Sequence, residues 1–176
     1  MPTVVCIELI SVKKTDADRP LFRQIAAWFE ANGWKYQEHL LGGDYNFLST
    51  EAKRDNGTWK LFARTGEEVE WREVFFWSKL EMLVPEGRRN AVAEFITRSN
   101  FGHRIGFFQM SFFDGELSYH ISFTVADGTL ADGQVAHAVN NVLFSIDRYY
   151  PGLMEVIYGG RDPQEAWTAL INRDLA

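Results

Sequence analysis

The sequence predicts an α+β domain, a twisted antiparallel sheet with helices packed on it, in the order β-α-β-β-β-α-β-β-α-α. Three observations carry that expectation. Strand-like runs come in succession instead of alternating strictly with helices, which favours antiparallel pairing over βαβ units. Those runs are aromatic, with Trp59, Trp71, Phe75 and Trp77 suited to a pleated, half-buried surface. Strong turn signals separate them, above all Gly42-Gly43-Asp44 and Asp114-Gly115.

Element by element, residues 3–12 read as a strand, and TDADRP supplies turn residues with Pro20 in the first turn of a helix. Leu21, Phe22, Ile25, Ala26 and Phe29 then form a helical stripe that ends at Asn32-Gly33. The β-rich segments WKYQEHLL, YNFLST, TWKLFART and VEWREVFFWSKL follow, and the predicted order counts three strands here. The turn at Gly66 fits two or three residues, which leaves the facing of these strands open. Pro85 and Glu86 open the next helix, whose apolar face is Ala91, Val92, Phe95 and Ile96. Glu94 and Arg98 are spaced for a surface ion pair, and the helix should end between Asn100 and Gly102.

HRIGFFQMSFFDGELSYHISFTV reads as a hairpin about Asp114-Gly115. A two-residue turn would pair Phe112 with Leu117, Met110 with Tyr119 and Phe108 with Ile121. Phe108, Met110, Phe112, Leu117, Tyr119, Ile121 and Phe123 would then line the core face. The opposite face of strand 104–113 would carry Ile105, Phe107, Gln109 and Phe113, beside His120 of the next strand. A purely solvated face does not normally gather so many apolar groups. Val135, Val139, Val142, Ile146 and Tyr149 mark a helix expected to stop at Pro151, with GLMEVIY adding a short further turn. In the last helix Asp162 is the N-cap, Pro163 the first position and Glu165 the third.

A chain of 176 residues fits one domain, residues 1–176, with residues 1–15 as an extra N-terminal strand. At this length roughly 70% of the unfolded surface can be buried, so the fold needs no disulfide or metal. The formal charge is −6, which opposes non-specific binding to nucleic acid or anionic lipid. Cys6 is the only cysteine and excludes an intrachain disulfide; it reads as a buried hydrophobe in a reducing compartment. The apolar start lacks the basic region and cleavage site of an export signal, and no run approaches a membrane span. A cytoplasmic location is expected.

Phosphate-loop, dinucleotide, HExxH, CxxC and GxSxG motifs are all missing. His39, His103, His120 and His137 fall on different elements without ligand spacing, so neither metal nor cofactor is expected. Glu67-Glu68 and Asp127/Asp132 read as solvated turn carboxylates. No nucleophile stands beside a base, and no catalytic residue is assigned. Exposed aromatics could stack RNA bases, but the RNP pattern is missing, and Glu68, Glu70 and Glu73 would repel phosphate. Arg88, Arg89 and Arg98 raise the same question and favour solvated helix positions.

Between about Leu21 and Ile171 the chain resembles the YbjN-domain family of bacterial sensory transduction regulators. The segments that carry the resemblance are ANGWKY, GTWKLFAR, LVPEGRRNAVAEFITRSNF, GFFQMSFFDGELSYHISF and DRYYPGLMEVIYGGRDPQEAW. It implies a fold like that of type III secretion chaperones, often paired as a homodimer and binding extended client segments. It implies no catalytic residue. The expected function is therefore a non-enzymatic protein-binding or regulatory role, with Ile105, Phe107, Gln109, Phe113 and His120 as the dimer or client surface. Cover by residues 3–12 or a helix of the same chain would explain that face equally. The alternative function is a small-ligand binder or enzyme with a pocket between sheet and helices.

Overall fold

A computed structural model describes residues 20–40, 46–67, 72–126 and 128–173. The predicted strand at 3–12, Cys6, the Gly42-Gly43 turn, Glu68, Glu70, Trp71 and Asp127 lie outside the described residues. Helix α1 (Pro20–Ala31) leads into strands β1 (Tyr36–Leu40), β2 (Asn46–Lys53), β3 (Thr58–Glu67) and β4 (Arg72–Leu83). A 3-10 turn (Glu86–Arg88) precedes α2 (Arg89–Phe101), and then come β5 (Phe107–Met110), β6 (Glu116–Thr124), α3 (Asp132–Ile157) and α4 (Pro163–Arg173). Four strands therefore join the first two helices, where the predicted order had three. WKYQEHLL and YNFLST are separate strands that pair with each other, Tyr36 opposite Thr50 and Leu40 opposite Asn46.

The strands form one six-stranded antiparallel sheet in the order β1-β2-β3-β4-β6-β5. The second strand of the last hairpin sits against β4, and the first is left at the edge. Alternation puts Leu48, Leu61, Ala63, Val74, Phe76, Phe108, Leu117, Tyr119 and Ile121 on one face, where the helices pack. Val135, Val139, Val142 and Ile146 of α3, Ile25 and Phe29 of α1, and Phe95 of α2 complete the core. Gly66 is a strand residue opposite Glu73, and the turn beyond it lies outside the described residues.

Three further expectations are corrected. The hairpin pairs Met110 with Leu117 and Phe108 with Tyr119, two residues away from the expected register. Its turn is longer: Ser111 N–H donates to Glu116 O at 2.9 Å and Gly115 N–H to Ser111 O at 2.8 Å. Gly115 has φ +85°, and a Cβ there would lie 2.2 Å from Val84 O, so close backbone approach decides the turn. A two-residue shift keeps side chains on their faces, but it carries Phe112 and Phe113 off the sheet into the turn.

The second correction is α3, which runs through Pro151 without stopping. Proline removes the N–H that would satisfy the Asp147 carbonyl. Asn56 from the β2–β3 turn supplies a substitute, its Nδ2 donating to Asp147 O at 3.0 Å. The buried Asp147 carboxylate accepts Asn56 N–H at 2.9 Å and Trp59 Nε1–H at 2.8 Å. The helix survives its proline because a distant turn replaces the missing donor.

Third, Glu67 is not a solvated turn carboxylate. It accepts the Leu21 and Phe22 N–H groups at 3.2 and 3.0 Å, placing negative charge on the otherwise orphaned donors at the start of α1. Asp162 does the same for α4, as expected from sequence, accepting Gln164 N–H at 2.9 Å and Glu165 N–H at 3.1 Å.

The three arginines have structural partners. Arg88 donates from Nε to Val156 O at 2.9 Å, satisfying a carbonyl in the last turn of α3. Arg89 Nη1 donates to Phe112 O at 2.7 Å and so holds the hairpin turn. Arg98 makes the expected pair with Glu94, at 2.8 Å.

Candidate functional site

The helices leave the other face of the sheet to an aromatic row. Strand alternation brings His39, Phe47, Phe62, Trp77, His120 and Phe107 side by side, one from each strand in sheet order. His39 stacks on Phe47 at 4.3 Å between ring centroids, and Phe62 on Trp77 at 5.2 Å. Phe47 meets Phe62 edge-on at 5.9 Å. His120 lies nearly parallel to Trp77 at 6.2 Å, and Phe107 to His120 at 6.1 Å. At a strand spacing of about 4.8 Å the row crosses about 24 Å of sheet. Beside it Arg64 stands over the Phe75 ring at 4.7 Å, a cation–π contact.

The polar groups along the row are tied to one another. His120 Nε2 lies 2.9 Å from Gln109 Nε2 and 2.9 Å from Ser118 Oγ. Burial holds this imidazole below the ordinary histidine value of 6.5, against an opposing pull from Glu116. A neutral ring with its proton on Nδ1 has one lone pair at Nε2, which the Gln109 N–H and the Ser118 hydroxyl share. At the far end His39 Nε2 lies 2.7 Å from Ser49 Oγ. Lys60 pairs with Glu81 at 3.2 Å and Lys79 with Glu116 at 3.1 Å. These exposed pairs contribute little stability, but they balance the charge beside the aromatic row.

The expected surface residues separate into three places. Phe107, Gln109 and His120 share the row. Phe113, 94% exposed, sits at the hairpin turn away from it. Ile105 precedes β5 and lines a cleft against α3. Phe47, Phe62, Trp77 and His39 were missed as site residues. TWKLFART and VEWREVFFWSKL carry Phe62, Phe75 and Trp77 at alternating positions, but only the observed register, Phe62 opposite Trp77, shows that they meet.

On the outer side of β5 one residue is already bonded. Asn100 of α2 accepts Phe108 N–H through Oδ1 at 2.7 Å and donates from Nδ2 to Phe108 O at 2.9 Å. Its amide thus takes up outward-facing backbone groups that another strand would use.

Among the described residues His120 has glutamine and serine as its hydrogen-bonding neighbours, and no carboxylate is hydrogen-bonded to it. Among the described residues no group of three or more His, Cys, Asp or Glu is placed to hold a metal ion. No helix among them is long and apolar enough to cross a membrane. The geometry of this face offers aromatic contact area.

No curated protein matches the chain. A family model described as "Putative bacterial sensory transduction regulator" matches residues 22–155. The match covers α1 through most of α3, including the whole aromatic row, and ends before the GGRDPQEAW segment that had also looked characteristic. With most of its length and all six strands inside that match, the chain belongs to the YbjN family.

Proposed function

We propose that this protein is a non-enzymatic regulator that works by binding protein, and that the aromatic face of its sheet is the contact surface. The row from His39 to Phe107 carries this reading, because it joins rings from all six described strands on the face opposite the described helices. Rigid aromatic side chains give large contact area at low entropic cost, which is why they dominate protein interfaces. The family's regulatory description agrees with such a role.

A second copy of the chain is the proposed occupant, giving a cytoplasmic homodimer with a secretion-chaperone-like arrangement. The Asn100 bonds to Phe108 favour face-to-face contact over strand addition at β5. The row can be self-complementary in an isologous pair, ring against ring about a two-fold axis. Phe107, 44% exposed at the end of the row, is the side chain to change.

Light scattering on the purified chain should give a dimer mass, and Phe107→Asp should shift it to monomer with the circular dichroism unchanged. Phe62→Asp, in the middle of the row, should do the same. A monomeric wild type, or a dimer indifferent to both substitutions, would overturn the dimer.

A further inference from the structure

We propose that His120 is a pH switch for the dimer, whose protonation drives the second copy off the aromatic face. The inference rests on the reading of this face as the dimer surface, and it names what regulates that surface.

His120 is built into the row rather than set at its end. It stands opposite Trp77 of β4 and Phe107 of β5. Its ring is inclined to theirs by only 6° and 17°, so an aromatic ring flanks it on each side. The neutral imidazole thereby continues the apolar surface from Trp77 to Phe107. Gln109 and Ser118 share its Nε2 lone pair, which protonation removes.

The described charges around His120 do not compensate an imidazolium. On β6 the acid of this face is Glu116, four residues along the strand, and it pairs with Lys79 of β4. β4 also carries Glu73 and Glu81, four residues to either side of Trp77, and Glu81 pairs with Lys60 of β3. Arg64 of β3 is a cation over the Phe75 ring. β5 presents Phe107 and Gln109, and the segment before it adds Arg104, again a cation. Four strand residues span about 13 Å, beyond the Debye length of about 8 Å at physiological salt.

A second copy seated on the row takes water away from His120 as well. An imidazolium there is a desolvated charge with no carboxylate bonded to it, and burying such a charge is costly. Attraction to the flanking rings offsets little, because their centroids lie at 6.2 and 6.1 Å, at the outer limit of cation–π contact. Burial already opposes the charged form within one chain. The dimer therefore binds fewer protons than two free chains, and falling pH shifts the equilibrium toward the free chains. Each dimer carries His120 twice, so the effect of one site enters twice.

Sedimentation equilibrium at pH 7.5 and 5.5 tests the switch, with far-UV circular dichroism at both values to follow the fold. The dissociation constant of the wild-type dimer should rise at least about fivefold at pH 5.5, with the chain still folded. His120→Phe keeps a flat ring without a titrating nitrogen, and His120→Gln keeps polarity without charge. Both should dimerise at pH 7.5, with constants that change less than about twofold over the same range. His39→Gln, at the far end of the row, should retain the wild-type pH dependence. A monomeric wild type at pH 7.5 would remove the dimer reading and this switch together. A dimer whose constant is indifferent to pH would overturn the switch alone. So would dissociation that accompanies unfolding, pH dependence that persists in either His120 variant, loss of the dimer at pH 7.5 in both, or pH dependence abolished by His39→Gln.

Discussion

Asp147→Ala tests how α3 tolerates its internal proline. The carboxylate is 8% exposed and accepts the Trp59 indole N–H at 2.8 Å and the Asn56 backbone N–H at 2.9 Å. Alanine leaves both donors without that acceptor. The buried indole donor left unsatisfied costs about 1–3 kcal/mol, while the Asn56 N–H, on an exposed residue, is open to water and costs less. Removing the carboxylate also relieves its own desolvation, which offsets part of the loss. A net destabilisation of about 2 kcal/mol follows, and for a chain of this size about 2–4 °C per kcal/mol converts it to about 4–8 °C in Tm. Thermal unfolding by far-UV circular dichroism, with urea midpoints as a second measure, gives the number. Asp147→Asn retains an acceptor for the indole and should lose less. A change below about 1 kcal/mol for alanine, or an asparagine variant as unstable as the alanine one, would refute the role of this anchor.

Asn100→Ala should expose the Phe108 N–H and C=O at the outer edge of β5, with a loss of about 1–2 kcal/mol in urea. Light scattering should show concentration-dependent association beyond the wild-type mass as the edge becomes available for strand pairing. Stability should also fall in acid. His103 and His120 both lie below the ordinary value of 6.5 in the folded state. The unfolded chain therefore binds protons first, so the stability is present above pH 6.5 and is lost as pH falls through the folded values. Urea midpoints between pH 7.5 and 5.5 should show this loss, and His103→Gln should flatten the slope.

Much of the architecture was legible because it rests on local patterns. The stripe of α1, the Asp162 cap of α4, the Glu94–Arg98 pair and the end of α2 each depend on residues a few positions apart. The core face of the last hairpin was also legible, since a two-residue register error preserves alternation. What failed was non-local. Pro151 reads as a stop signal, but Asn56, far away in sequence, replaces the lost donor. Glu67 reads as turn charge because the helix start it caps lies 45 residues earlier. Asp114-Gly115 reads as a two-residue turn, whereas Gly115 is required by its approach to the Val84 backbone.

The candidate site divides in the same way. Sequence alone determined that Phe107 and Gln109 share a sheet face, because side chains alternate with a period of two along a strand; His120 joins them because the register differs from the expected one by an even number of residues. It also determined the acidic balance and the lack of any recognised catalytic motif. Only the tertiary structure decided that the face extends through Trp77, Phe62 and Phe47 to His39, and that Phe113 leaves it. Neighbour order and register depend on contacts among distant segments. A ring's place within its own strand is local; the rings it will touch are set when the strands assemble.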